Sequence, residues 1–116
     1  MTQNKTIIIS GATGWLGSNI MKFAINYGYN VIPLVRQNIL RKNSKHLIGN
    51  LGENNTVENL VNQYNQYSLK ADLFIHTAGF AHQDHETPFI KEEMMKVNVL
   101  GTKQVLKFCE IVSIEH

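Results

Sequence analysis

Three glycines, Gly11, Gly14 and Gly17, follow the β-branched run Thr6-Ile7-Ile8-Ile9-Ser10 and precede a stretch, residues 18–24, with helical patterning. Strand, glycine turn and helix in that order constrain the fold more than any other feature of the chain. Glycine permits a tight turn and the close approach of a phosphate to the backbone. The helix that follows offers unpaired N–H groups and the positive end of its dipole. A parallel α/β domain uses this unit to hold a dinucleotide pyrophosphate.

The remaining patterning agrees. Further apolar runs at residues 30–35, 46–48 and 72–77 read as strands. The first, second and fourth of the four strands are continuously apolar, as parallel strands covered on both faces require. Pro33 has no N–H to give to a ladder, so a bulge or an early end is expected in the second strand. Leu16, Ile20, Phe23 and Ala24 form one helical stripe, with Gly28 as its stop. Val57, Leu60, Val61 and Tyr64 form a second stripe. Val97, Leu100, Val105, Leu106, Cys109 and Val112 form a looser third, interrupted by Gly101. Residues 37–45 and 49–56 read as loops.

A length of 116 residues bounds the chain to one domain with a modest core. A net charge of +2 gives no reason to expect a nucleic-acid or membrane partner. Cys109 is the only cysteine, which leaves no intrachain disulfide and no cysteine-based metal cluster; it is expected as a small buried residue. Neither a signal peptide nor a membrane span is apparent, so the expected location is the cytoplasm.

The end of the second strand discriminates between nicotinamide cofactors. An acid about 20 residues past the glycines bonds the ribose hydroxyls and selects NAD. Here Val35-Arg36-Gln37 stands in its place, and Arg36 suits a 2′-phosphate. NADP is therefore favoured over NAD.

The chain resembles the N-terminal half of an extended short-chain dehydrogenase/reductase, of the NAD(P)-dependent sugar-nucleotide epimerase/dehydratase kind. Ser10-Gly11-Ala12-Thr13-Gly14-Trp15-Leu16-Gly17 resembles that family's TGxxGxxG turn. Residues 72–79, ending in Thr77-Ala78-Gly79, resemble its DxVIHxAA segment, and Asn98-Val99-Leu100-Gly101-Thr102 its N-x-x-G-T helix start. The resemblance implies a Rossmann-type parallel sheet with helices on both faces, cut before the later strands, and an incomplete NAD(P)-binding domain over residues 1–116. It implies that Thr13, Trp15 and Leu16 line the pyrophosphate through their backbone. Ala78 and Gly79 would pass under the ribose and pyrophosphate. Asn98 would brace the neighbouring strand, a role compatible with helix N-capping. Where the family often carries Asp-Leu, with the Asp on the adenine amino group, this chain has Asn50-Leu51; an Asn amide can still bond there.

The family's chemistry uses a Ser or Thr followed by Tyr-x-x-x-Lys, the tyrosine activated by the lysine charge. None of Tyr27, Tyr29, Tyr64 and Tyr67 has a lysine four places on, so no catalytic residue is assigned. The expectation is a cofactor-binding half of a sugar-nucleotide epimerase, dehydratase or 4-ketoreductase, inactive alone, with a link to surface-polysaccharide synthesis. A sugar nucleotide would be a partner only with the other half present. The alternatives are a non-catalytic NADP-sensing or interaction protein, or a truncated gene product. The cluster His82-Gln83-Asp84-His85-Glu86 is read as a substrate-side loop rather than a metal site. The fourth strand is expected to be an apolar edge open to homodimer pairing.

Overall fold

A computed structural model describes residues 4–36, 45–77 and 88–116. The elements run β1 (Thr6–Ser10), α1 (Trp15–Asn26), β2 (Asn30–Val35), β3 (Leu47–Ile48), α2 (Thr56–Gln66), β4 (Leu73–His76) and α3 (Pro88–Val112). All strand pairs are parallel, in the order β3-β2-β1-β4. The chain steps outward from β1 through β2 to β3 and then returns to the opposite side of β1. That reversal opens a crevice at the C-terminal ends of β1 and β4.

Alternation along β1 divides the core between two faces. Ile7 and Ile9 pack with Ala24 of α1, and Ile20 and Met21 complete that layer. Ile8 faces the other way, into a larger cluster with Leu34, Leu47, Leu60, Phe74 and Phe108. Phe108 of α3 is fully buried and meets Tyr64 and Phe74 edge-on, with ring centroids 5.6 and 6.0 Å apart. The Tyr64 hydroxyl accepts the Ala71 N–H at 2.8 Å, so its burial leaves no polar atom unpaired. Helices therefore cover both faces of the sheet.

Helix α1 stops as the sequence suggests. Gly28 has φ of 87°, and the N–H groups of Gly28 and Tyr29 return to the carbonyls of Ile25 and Ala24.

Four expectations need correction. Pro33 causes neither a bulge nor an early end: β2 pairs with β1 in unbroken register, Pro33 opposite Ile9. The Asn30 N–H bonds toward β1 and the Val35 carbonyl toward β3. By two-residue alternation, Pro33 directs its missing N–H to the β3 side, where pairing begins only at Leu34. Gly101 does not interrupt its helix, since α3 is continuous from Pro88 to Val112. Nor does that helix start at Asn98, which lies ten residues inside it and caps nothing at its N-terminus. The outer edge of β4 is also less bare than expected. The Phe74 N–H donates to the His116 carbonyl at 2.8 Å, and Ile114 is buried in the core.

Candidate nucleotide-binding cleft

A cleft of about 380 Å³ lies at the C-terminal ends of the strands. Gly11, Thr13 and Gly14 form its floor at the end of β1. Leu34, Val35 and Arg36 close it from β2, and Thr77 from β4. The β3–α2 loop contributes residues 49–52, and α3 contributes Val97 and Gly101.

The glycine turn is built by sterics. Gly11 has φ of 68°, and the Gly14 N–H closes the turn on the Gly11 carbonyl at 3.0 Å. A Cβ on Gly17 would overlap the Gly11 carbonyl and sit 2.8 Å from Thr77 Oγ1. Only glycine lets α1 dock this closely on the turn and on β4.

Gly14 is the N-cap of α1, and no side-chain hydrogen bond caps the helix there. The first intrahelical bond runs from the Ser18 N–H to the Gly14 carbonyl, which leaves the amides of Trp15, Leu16 and Gly17 without intrahelical acceptors. The first turn carries no acid, so the positive end of the dipole is uncompensated. The Trp15 side chain is 83% exposed, and neither it nor Leu16 lines the cleft wall. Any part these two residues take there is through their backbone.

Strands β1 and β4 are locked together beside the turn. The Thr77 N–H donates to Ser10 Oγ at 3.0 Å, and Thr77 Oγ1 donates to the Ser10 carbonyl at 2.6 Å. Ser10 Oγ lies 2.7 Å from His76 Nδ1. His76 is half-buried, and desolvation lowers its pKa.

Asn50 closes a turn of its own. Its Oδ1 accepts the Gly52 N–H at 2.9 Å, and its Nδ2 donates to Glu53 Oε1 at 3.3 Å. Arg36 is exposed at the rim, and among the described cleft-lining residues it is the only charged one. A phosphorylated ribose fits this donor set: unpaired amides and a glycine cradle at one end, a guanidinium at the other.

Of the residues singled out from sequence, Gly11, Thr13, Gly14, Arg36, Asn50, Leu51 and Thr77 meet in this cleft. Gly17 supports it from below. Asn98 stands apart, in an open groove along α3 with Met95, Val99 and Thr102. Ala78, Gly79 and the cluster at 82–86 lie outside the described residues. Among the described residues no group of His, Cys, Asp and Glu is arranged to hold a metal. Sequence reasoning missed Gly49, Gly52 and Val97 as cleft residues. The glycines flanking Asn50-Leu51 were the available signal: a Cβ on Gly52 would lie 2.9 Å from Val97 Cγ1.

Comparison with known proteins agrees with this geometry. The model of the NAD dependent epimerase/dehydratase family matches residues 7–116. UDP-glucose 4-epimerase from Brucella ovis, solved in complex with NAD, superposes with a TM-score of 0.74 at 19% identity, over 96% of this chain and 34% of that one. UDP-N-acetylglucosamine 4-epimerase from Bacillus cereus superposes at 0.71 and 22% identity, over 97% and 33%. A short chain dehydrogenase from Leptospira borgpetersenii with bound NAD+ superposes at 0.70 and 20% identity, over 91% and 44%. The chain thus spans between a third and under half the length of these proteins. No curated protein sequence matches it. No described helix is long and apolar enough to cross a membrane.

Proposed function

The chain belongs to the NAD dependent epimerase/dehydratase family, and from that premise we propose that it is an NADP-binding unit of a sugar-nucleotide epimerase, dehydratase or 4-ketoreductase. One observation carries the cofactor preference. Arg36 stands at the rim of the cleft where an acid would select NAD, and no carboxylate is among the described lining residues. The amides of Trp15, Leu16 and Gly17 would receive the pyrophosphate, and Arg36 the 2′-phosphate.

When bound, NADP supplies a nicotinamide ring able to accept or donate hydride. The residues of this chain bind and orient it through the glycine turn and the β4 end. The acid–base group that hydride transfer at a sugar carbon requires is not among these 116 residues, because no Tyr-x-x-x-Lys occurs. On this reading the chain holds cofactor in the cytoplasm and turns over nucleotide sugar, for polysaccharide synthesis, only with the residues that supply that group.

Trp15 provides the test. It is the only tryptophan and stands at the first turn of α1, beside the turn that would hold the pyrophosphate. Titration should quench its fluorescence, with NADP binding at least about tenfold tighter than NAD, the worth of a charged hydrogen bond. Equal affinities would overturn the preference. No binding of either would overturn the function.

A further inference from the structure

Gln104 does not line the cleft, yet it shapes one wall of it. It sits on α3, three residues after Gly101 and seven after Val97, on the same helical face as both. Its side chain is buried, with the residue 7% exposed. Nε2 donates to the carbonyls of Leu51 at 2.7 Å and Glu53 at 2.8 Å, and Oε1 accepts the Thr56 N–H at 3.3 Å. All three partners are backbone groups of the β3–α2 connection.

The Thr56 bond compensates for a local defect. Asn55, the N-cap of α2, has φ of 68° and makes no side-chain cap. The first amide of α2 is therefore satisfied from α3, 48 residues away. Thr56 Oγ1 adds bonds to the carbonyls of Asn50 and Glu53, at 2.7 and 3.0 Å. The loop is thus held at both ends while Asn50 completes its turn on Gly52. In that turn Asn50 Oδ1 uses one lone pair on the Gly52 N–H and retains a second. Val97 and Gly101 bound the opposite side of the same space.

We propose that Gln104 is a positioning residue for base recognition: it fixes the loop carrying Asn50 at the distance from α3 that admits a purine and aims the Asn50 carbonyl at its amino group. The proposal rests on the nucleotide-binding reading above. It separates two kinds of binding energy. The phosphates are held by the glycine turn and Arg36, which Gln104 does not touch. The base edge is read by the loop, which it does.

The experiment compares NADP with its hypoxanthine analogue, which replaces the adenine amino group by a carbonyl and places a hydrogen on the adjacent ring N1, so the donor that Asn50 would accept from is gone. The intact chain should prefer the adenine form. In Gln104→Met, similar in length but without the three hydrogen bonds, that preference should fall by roughly tenfold. A merely structural role would weaken both ligands equally, and an unchanged ratio would overturn the proposal. A chain that binds neither ligand would take the nucleotide-binding reading down with it, an outcome distinct from an unchanged ratio. Should Gln104→Met fail to fold by circular dichroism, Gln104→Glu replaces it. That variant keeps the acceptor for Thr56, loses both donors when ionised, and should show the same collapse of the ratio.

Discussion

Ser10 Oγ and His76 Nδ1 are 2.7 Å apart, and this contact joins the ends of the two strands that flank the cleft. Ser10 Oγ also accepts the Thr77 N–H at 3.0 Å, so one hydroxyl ties the end of β1 to both His76 and Thr77.

That arrangement gives stability a pH dependence. Burial depresses the His76 pKa below its unfolded value, so the unfolded chain binds more protons in mild acid. The stabilisation is complete above about pH 6.5 and is lost as pH falls through the depressed folded value. Urea midpoints should drop across that window, and His76→Gln should flatten the drop. An equal slope in the variant would assign the effect to another group.

Two glycines should respond oppositely to alanine. Gly17→Ala forces a Cβ into the Gly11 carbonyl and should cost about 2–4 kcal/mol, with loss of nucleotide binding. At Gly101 a Cβ would meet Leu51 only at 3.6 Å, an ordinary contact. Gly101→Ala should leave stability unchanged or raise it by up to about 1 kcal/mol, as helix propensity dictates. Because Gly101 lines the cleft, the same change should weaken nucleotide binding. Thermal melts and titrations of the two variants provide the check.

Arg36→Ala removes the only charged side chain among the described residues of the cleft. NADP affinity should fall about tenfold or more while NAD affinity changes little. Adding salt should weaken NADP binding more steeply in the parent chain than in the variant. Parallel losses for both cofactors would remove Arg36 from the 2′-phosphate.

The outer edge of β4 accounts for a fourth expectation. Phe74 meets the His116 carbonyl there through one backbone bond, and Leu73 and Ile75 are only half-buried. We expect concentration-dependent self-association along this edge. Sedimentation equilibrium should show it, and a lysine at Ile75 should reduce it. A monomer at every concentration would end the idea.

What could be read from sequence was whatever depends on neighbours along the chain. The glycine turn, the four strands, the Gly28 stop and the place of Arg36 at the end of β2 all follow from periodicity, φ preference or a fixed offset from a motif. Asn50 was legible as a cleft residue only through the family resemblance, as the Asn that stands where that family often carries an Asp after its third strand.

The tertiary structure decided what depends on residues meeting across the chain. Pro33 is tolerated because β3 starts pairing one residue later, and no local rule gives the length of a partner strand. Helix α3 runs through Gly101 because the face carrying Gly101, Val105 and Phe108 packs against Leu51, Tyr64 and Phe74 in the core, where burial outweighs glycine's low helix propensity. Gln104 reads as an ordinary polar residue until α3 is laid against the β3–α2 loop, when its amide becomes the partner of three backbone groups about fifty residues away. A side-chain amide carries no signal of its own; its role is set by which unpaired donors and acceptors folding brings within its reach.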